Sequence, residues 1–452
     1  MATAEQPLEP LLLFMKPSDV NESVGPLVFH ASPLKLRGTI APLAVDGSVT
    51  VQSGSRHGLA NDISFRPLLA VPCADGGYDV YGSESRENPK EPKQFLWKIC
   101  RAHTFDARHF TDLREVFTNP PGPWLIEASM TREETTGKFF FFQWSRSDDP
   151  GKGHALWGFV SDIGGSWRPL STKPLYLDHD AFGVMWDPQS HRFLSCQVTT
   201  QSRQKPYSDN LGDSRRRVLS IRTSKDGVTW NRVADAGDSG LITPDVHDPE
   251  DLEFYRMQPF AYGDRFVAMV DLYAASPLFP GRHGPHLGCE WWVSDDGMRW
   301  ERPWRGWDAH GDAPYPIKMS PMRVGREMLF WVSGQVRGLP EYRLAGIGAR
   351  SNAEFSSKPF KMPARELLLN ATIPAGSGLF RQSYIQVEIR DENHKPINGY
   401  EREKCLLQNV DDTRIPLSWN GATGKELAGR KISLKFCLRQ ATLYMLGTVR
   451  SQ

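Results

Sequence analysis

A pattern of short strand-like segments that recurs along most of the chain constrains the fold more than any other feature of the sequence. It starts near residue 58 and returns with a period of roughly 50–60 residues. Each unit has a first strand, a turn, an aromatic second strand, a third strand and a polar turn. The third strands align best, at residues 94–100, 154–160, 217–222, 288–293 and 342–348. A repeat of this length, built from short strands, is typical of a β-propeller.

The turns after the third strands support the same interpretation. Two of them fit the pattern SxDGxxW, at 224–230 and 294–300, and a third at 161–167 carries Ile163 where the others have Asp. Asp and Gly suit a tight hairpin, and Ser and Asp side chains can cap its backbone. The Trp is placed to fill the gap between neighbouring sheets. We count five units, at about 58–118, 122–172, 176–236, 252–304 and 306–358.

The repeat stops near residue 360, and the remaining chain reads as separate strands. Residues 384–389 alternate apolar and polar side chains, which implies one buried face. The sequence therefore predicts an all-β protein, a five-bladed β-propeller followed by a C-terminal β-sandwich. The predicted boundaries are an N-terminal extension at 1–57, the propeller as the catalytic domain at 58–358, and the sandwich at 361–452.

Composition narrows the possible partners. A net charge of +1 gives no electrostatic reason to expect nucleic acid or a membrane surface. No apolar run approaches the ~20 residues of a membrane helix, and the run at 11–15 is too short for a signal sequence. We expect a soluble chain, cytoplasmic or secreted with its leader removed.

The six cysteines show no CxxC and no metal-ligand spacing. We therefore expect buried free thiols, no metal and no cofactor.

An acidic stretch at 245–253 places five carboxylates in nine residues and runs into an aromatic strand. Taken alone, it reads as a solvated surface loop. At the entrance to the fourth unit, however, its last residue, Glu253, becomes a candidate general acid. Tyr255 and Arg256 follow directly, and Arg256 could hold a carboxylate or an anionic group of a substrate. The other acids, Asp248, Glu250 and Asp251, are expected to form a polar approach loop.

The layout resembles the glycoside hydrolases of families 32 and 43 and their uncharacterised bacterial relatives. The resemblance is carried by the SxDGxxW turns, the acidic segment at 248–255 and the closing strands at 427–444. It implies hydrolysis of a glycosidic bond, of a furanoside or a polysaccharide-derived oligosaccharide, by carboxylates on the innermost strands of successive blades. The chain departs from the family pattern at Asn61-Asp62, where Ile63 stands in place of proline. Glu127-Ala128 likewise replaces the family's Glu-Cys.

A glycosidase needs two carboxyls across the scissile bond, about 5–5.5 Å apart for retention and about 6.5–9.5 Å for inversion. The unit entrances supply four candidates for catalysis: Asp62, Glu127, Asp180 and Glu253. Asp62 can equally be a turn residue. Glu127 lies in an apolar stretch, where a carboxylate is costly unless it is paired or functional.

Six further residues are candidates for binding a carbohydrate substrate: His179, Arg256, Tyr255, Trp124, Trp186 and Trp307. The tryptophans could stack on sugar faces or fill gaps between blades. Two other functions remain open. A polysaccharide lyase acting on a uronate glycan would use His103, His179, Tyr255 and Arg256. A non-catalytic carbohydrate-binding propeller would show no turnover at all. The sequence indicates no oligomeric state.

Overall fold

The computed structural model describes residues 6–40, 43–45, 49–51, 65–87, 95–118, 125–146, 154–162, 166–179, 181–233, 240–276, 285–306, 317–332, 334–376 and 382–450. These residues form 35 β-strands and three 3₁₀ turns (Pro17–Asp19, Arg402–Lys404 and Lys425–Leu427), and no α-helix occurs among them. The all-β prediction is confirmed. No helix in this described part has the length and apolarity needed to cross a membrane.

The first fifteen strands are β1 (Leu8–Leu13), β2 (Val20–Val24), β3 (Leu27–Ala31), β4 (Lys35–Thr39), β5 (Leu43–Val45), β6 (Val49–Val51), β7 (Arg66–Pro72), β8 (Tyr78–Glu87), β9 (Phe95–Thr104), β10 (Thr111–Thr118), β11 (Leu125–Arg132), β12 (Phe139–Arg146), β13 (His154–Ser161), β14 (Arg168–Pro169) and β15 (Tyr176–Asp178). The next eleven are β16 (Phe182–Asp187), β17 (Arg192–Ser202), β18 (Arg215–Ser224), β19 (Asn231–Arg232), β20 (Leu241–Ile242), β21 (Leu252–Tyr262), β22 (Arg265–Ala274), β23 (His286–Ser294), β24 (Met322–Val324), β25 (Glu327–Val332) and β26 (Gln335–Pro340). The last nine are β27 (Ala345–Ala349), β28 (Ala353–Ser357), β29 (Phe360–Lys361), β30 (Leu368–Ile373), β31 (Tyr384–Arg390), β32 (Leu406–Leu407), β33 (Val410–Pro416), β34 (Lys431–Arg439) and β35 (Ala441–Val449).

Five antiparallel sheets follow the five predicted units in chain order. We call them sheets I to V. Their strand orders are β7-β8-β9-β10 for sheet I, β11-β12-β13-β14 with β15 for sheet II, β16-β17-β18-β19 with β20 for sheet III, β21-β22-β23 for sheet IV, and β24-β25-β26-β4 for sheet V. In each sheet the first strand of the unit lies at one edge. These first strands, β7, β11, β16, β21 and β24, are the inner strands.

Each sheet shares a buried apolar cluster with the next, so the five sheets close into a ring. The clusters contain Leu68, Ile99, Met130 and Phe141 between sheets I and II; Phe142, Trp144, Phe182 and Trp186 between II and III; Val198, Leu219, Phe254 and Val270 between III and IV; Phe260, Trp291, Phe330 and Leu339 between IV and V; and Val80, Cys100, Met322 and Trp331 between V and I. Sheet-on-sheet packing of this kind buries both faces of every sheet.

The SxDGxxW turns have the chemistry that the sequence predicts. In the turn of sheet III, Ser224 accepts the backbone N–H of Gly227 at 2.9 Å, and Gly227 has a positive φ of 75°. Trp230 then donates its indole N–H to the Gly227 carbonyl at 2.9 Å. Its ring meets Phe142 of sheet II at 5.6 Å between centroids. This Trp therefore packs between sheets, as predicted.

The N-terminal segment is not a separate extension. Strand β4 pairs with β26 as the outer strand of sheet V, with Thr39 opposite Gln335. The last sheet of the ring is thus completed by the start of the chain, which also covers an edge that would otherwise be open. Strands β1, β2 and β3 join the second domain. The prediction of a separate extension at 1–57 is therefore corrected: β4 belongs to the ring of sheets, and β1, β2 and β3 belong to the second domain.

The second domain consists of two six-stranded sheets. One has the order β3-β27-β35-β30-β33 with β1 beside β35, and the other β2-β28-β34-β31-β32 with β29 beside β34. They enclose a single apolar core that includes Phe14, Phe355, Trp419 and Phe436. Strands β27 and β28 are also part of the sandwich, so residues 345–357 belong to it. The fifth predicted unit, 306–358, therefore extends too far. The segment predicted as its third strand, 342–348, overlaps β27, which belongs to the sandwich.

Candidate active site at the centre of the ring

A carboxylate and two cations meet at the centre of the ring. Glu127 is the third residue of β11 in sheet II. Its carboxylate pairs with the guanidinium of Arg256, on β21 of sheet IV. Its Oε1 also accepts a hydrogen bond from Nζ of Lys318 at 3.3 Å, and Lys318 lies just before β24 of sheet V. Sheets II and IV are separated by sheet III, so this pair spans the middle of the ring.

Irregular pairing directs both members of the pair. The register of β11 against β12 shifts between Leu125 and Glu127. The register of β21 against β22 shifts between Phe254 and Met257, on either side of Arg256. A β-bulge inserts an extra residue, bends the strand and re-aims a side chain, and bulges are common next to active sites. Two inner strands thus deviate from regular pairing where their side chains meet.

The cluster is partly open to solvent. The side chains of Glu127 and Arg256 are 10% and 11% exposed, and that of Lys318 is 33% exposed. Two nearby cations favour the ionised form of a carboxylate. An ionised carboxylate can act as a nucleophile, as a base or as a stabiliser of a developing positive charge. It cannot act as the general acid, which has to carry a proton.

Glu253 occupies a sealed cluster, contrary to its predicted role as a general acid. Its carboxylate accepts hydrogen bonds from Lys205 at 3.2 Å and from Arg217 at 2.5 Å. Asp209 binds the same two cations at 2.6 and 2.7 Å. All four side chains are at most 1% exposed. A general acid must reach the leaving group of a substrate, and Glu253 is covered by the loop between β17 and β18.

The charges in this sealed cluster balance. Burial by itself would raise the pKa of Asp209, but hydrogen bonds from Lys205, the Leu211 N–H and Arg217 outweigh it and lower the pKa. Two carboxylates and two cations give no net charge, which is the condition for keeping ions away from water. We therefore assign this cluster to the structure of sheets III and IV.

Three other predicted site residues, Tyr255, Trp186 and His179, lie among the described residues, and their contacts there are with neighbouring parts of the fold. Tyr255 is 9% exposed and packs on Tyr273, with ring centroids 5.0 Å apart. Trp186 is 6% exposed inside the cluster between sheets II and III, so it offers no open face to a sugar. His179 follows β15, and its backbone carbonyl accepts a hydrogen bond from Gln197 at 2.7 Å. Asp62, Asp180, Trp124 and Trp307 lie outside the described residues.

The acidic stretch is anchored at Asp248, whereas Glu250 is exposed, as predicted for a polar approach loop. Arg302 donates to Asp248 at 2.5 Å, and Arg305 donates to Asp248 at 3.0 Å and also to Asp245. The Asp248 side chain is only 4% exposed. Arg216 holds the same segment by its backbone, through the Glu250 carbonyl at 2.8 Å. This stretch fixes the entrance to β21.

The sequence did not single out Lys318, Lys205 or Arg217. The run Arg215-Arg216-Arg217 at the start of β18 was the one available signal, because three adjacent arginines entering a strand must find partners. Lys318 had no signal of its own. The set proposed for a lyase does not assemble. His103 lies near the end of β9, beside the turn between β7 and β8, which is the opposite end of the sheet from the start of an inner strand.

No family model matches the sequence, and no curated protein matches it either. Among solved structures, an N-acetylgalactosamine deacetylase from F. plautii in complex with blood group B trisaccharide shows 12% identity and a TM-score of 0.42, over 90% of this chain and 96% of that one. A family 32 β-fructofuranosidase from Bombyx mori shows 8% identity and a TM-score of 0.39, over 85% and 91%. A family 117 glycoside hydrolase from Zobellia galactanivorans shows 11% identity and a TM-score of 0.40, over 69% and 92%. Likenesses at this level do not decide an activity, which has to follow from the site.

Proposed function

We propose that this protein hydrolyses glycosidic bonds, with Glu127 as the ionised carboxylate of the site. The observation that carries the proposal is the meeting of Glu127, Arg256 and Lys318 from three different sheets at the centre of the ring. Glycoside hydrolysis passes through a positively charged, oxocarbenium-like transition state. A fixed anion beside the anomeric carbon stabilises that charge, or attacks it directly.

The two cations favour the ionised form of Glu127 and fix the orientation of its carboxylate. Arg256 holds one carboxylate oxygen and Lys318 the other, so the carboxylate cannot rotate freely. Arg256 is largely buried and lies on the inner strand β21. Lys318 is the more exposed of the two, and it can exchange its bond to Glu127 for one to a sugar hydroxyl. A preorganised charge of this kind costs no rearrangement when the reaction occurs.

A second carboxyl has to supply the proton. Asp62 and Asp180 remain the predicted candidates, because each lies shortly before an inner strand in the sequence, and Glu127 lies near the start of one. The substrate remains a carbohydrate, with a furanoside or a polysaccharide-derived oligosaccharide as the expected class. Whether the product keeps or inverts its configuration depends on the distance between the two carboxyls.

The test replaces Glu127 and compares it with a glutamate on the same hairpin. Glu134 is exposed and lies in the turn after β11, at the far end from Glu127. We expect Glu127→Gln to lower kcat by about 10²–10⁴-fold on whichever glycan is cleaved, and Glu134→Gln to leave it unchanged. The assay uses aryl furanosides, aryl pyranosides and plant and microbial polysaccharides.

Three results would overturn the proposal. Full turnover by Glu127→Gln would remove this carboxylate from the mechanism. Release of an unsaturated, ultraviolet-absorbing product from a uronate glycan would indicate elimination in place of hydrolysis. Binding of glycans by the native protein without turnover of any of them would indicate a carbohydrate-binding propeller.

One further result would define the role of Glu127. If added azide restores turnover to Glu127→Ala, then Glu127 is either the nucleophile itself or the base that activates a water molecule.

A further inference from the structure

Three potential metal ligands converge in sheet IV, on the two strands that follow the inner strand β21 and its bulge at Arg256. Asp271 lies on β22, and His286 and Cys289 lie on β23. Asp271 and Cys289 are directly opposite each other in the ladder. The donor atoms of all three residues lie within 4.8 Å of one another.

A bulge is what brings the histidine to this side of the sheet. Successive side chains of a strand point to opposite faces, so residues three apart, such as His286 and Cys289, would normally face opposite ways. The register shifts between Leu272 and Tyr273, however, and leaves Leu287 unpaired and 53% exposed. The extra residue turns His286 to the face of Cys289. The three side chains therefore come together through a specific deviation in β23.

The contacts converge on one point. Nε2 of His286 lies 2.5 Å from Oδ1 of Asp271. Sγ of Cys289 lies 3.8 Å from the same Oδ1 and 3.9 Å from the same Nε2. Ligands of a tetrahedral Zn²⁺, bonded at about 2.0–2.3 Å, lie roughly 3.3–3.7 Å apart. The two sulfur separations are close to these values, and the Asp271–His286 hydrogen bond would open by about 1 Å around an ion.

The same contacts exclude a thiol nucleophile activated by a relay. In a Cys–His–Asp relay the nucleophile and the carboxylate contact different nitrogens of the imidazole. Here both Cys289 and Asp271 contact Nε2 of His286. One nitrogen cannot take a proton from the thiol and also donate one to the carboxylate. Convergence on a single nitrogen is the arrangement that a shared cation requires.

Asp271 differs from the other buried carboxylates in the described part of the chain. Seven of them form an ion pair with an arginine or lysine: Asp19, Asp187, Asp209, Glu253, Glu290, Glu341 and Glu388. Asp271, with a side chain 3% exposed, pairs instead with His286. A carboxylate, a thiolate and a neutral imidazole around a divalent cation carry no net charge, which suits a buried position.

We propose that Asp271, His286 and Cys289 form a binding site for a divalent transition-metal ion of the zinc class. The thiolate and imidazole favour zinc over magnesium or calcium, which prefer oxygen ligands. Three protein ligands leave a fourth position for solvent. His286, 20% exposed, is the ligand that faces the outside. Binding releases the thiol proton of Cys289, so it weakens as the pH falls. This proposal does not depend on the proposed glycosidase activity.

The chain contains a matched control. Cys73, Asp79 and His103 form a second cluster of the same three residue types in sheet I. There, Arg101 already pairs with Asp79 at 2.6 Å, and the two nitrogens of His103 face two different carboxylates, Asp79 and Asp75. Burial, together with the charge of Asp79, raises the pKa of the Cys73 thiol. A guanidinium at this place repels a metal ion, so we expect no site there.

The experiment titrates the full chain, stripped with a chelator, with Zn²⁺ in competition with a chromophoric chelator. We expect one equivalent to bind. His286→Ala and Cys289→Ser should each weaken binding by at least about 100-fold, since each removes a direct ligand. His103→Ala and Cys73→Ser should leave the affinity unchanged. With Co²⁺ as the probe, the native protein should show a sulfur-to-metal charge-transfer band that Cys289→Ser abolishes and Cys73→Ser retains.

Two outcomes would overturn the site. The first is that the native protein takes up no equivalent of Zn²⁺, in which case Asp271 and His286 form only a hydrogen-bonded pair. The second is that binding is lost in the Cys73 and His103 variants and kept in the Cys289 and His286 variants. Far-ultraviolet circular dichroism of each variant separates loss of the ligand from loss of the fold. His286→Ala, at the partly exposed edge, is the variant expected to keep the fold.

Discussion

Glu127 and Glu253 make an instructive pair. Each lies near the start of an inner strand, and each is bonded to two cations. The Glu253 cluster is at most 1% exposed, whereas the Glu127 cluster opens to solvent through Lys318, at 33%. The acid that stands out in the sequence, beside aromatic residues and an acidic run, is the sealed one. An acid at the entrance to an inner strand is thus not enough to define a site.

The difference comes from a loop that neither acid belongs to. Residues 203–214, between β17 and β18, carry Lys205 and Asp209 over the start of β21 and close off Glu253. Glu127 instead finds its cations on distant inner segments of the ring, so its partners meet it across the central space. Burial with complete charge pairing serves stability, and pairing that remains open to water can serve binding and chemistry.

The largest expected effect is on stability. Glu253→Gln should lower the free energy of unfolding by about 3–5 kcal/mol, because Lys205 and Arg217 would share a single carboxylate in a dry cluster. Glu127→Gln should lower it by less, since Lys318, at 33% exposed, retains access to water. Urea unfolding of the two variants measures both values. Equal destabilisation would show that the two clusters do not differ in kind.

The second expected effect is that the stability contributed by the Glu253 cluster depends on pH. The pKa of Asp209 is lowered in the folded protein, so its carboxylate contributes stability above its unfolded pKa of about 3.9. That contribution is lost as the pH falls through the lower, folded pKa. The destabilisation caused by Asp209→Asn should therefore be full at pH 6 and shrink below about pH 4. A gap between native protein and variant that stays constant from pH 6 to pH 3 would contradict this.

The architecture could be predicted because its signals are local. Alternating side chains, hairpin turns and the SxDGxxW pattern are all read within about ten residues, and they located the five sheets in order. The place of the N-terminal segment in the fold was missed because its strands pair with distant parts of the chain. Strand β4 joins β26, with Thr39 beside Gln335, and nothing near residue 39 indicates that partner.

The candidate site also combines local features, which could be predicted, with long-range contacts, which could not. Glu127 and Arg256 were each predicted, one from the cost of an acid in an apolar run and one from its place after Glu253. Their pairing was not predicted, because it depends on two bulges and on closure of the ring. The burial of Glu253 depends on how the loop at 203–214 folds, and Asp271, His286 and Cys289 have no motif spacing because a bulge aligns them.

The third expected effect concerns Arg256. Arg256→Met removes the more buried of the two cations that hold Glu127, and we expect kcat to fall about tenfold, which corresponds to about 1.4 kcal/mol in the barrier. The side chain's aliphatic part is kept, so the fold should persist. Steady-state kinetics on the substrate found for the native protein measure the change. Arg132→Met, on the same strand as Glu127 but close to the β11–β12 turn, serves as the control.

The smallest expected effect concerns Lys318, and it tests whether exposure sets the order of importance. Lys318 is three times as exposed as Arg256, so water screens its attraction to Glu127. An ion pair of this kind contributes about 0.2–1 kcal/mol. Lys318→Met should therefore lower kcat by no more than about fivefold. If Lys318 exchanges its bond to Glu127 for one to a sugar hydroxyl, KM should rise as well. A loss larger than that of Arg256→Met would mean that the exposed cation, not the buried one, organises the carboxylate.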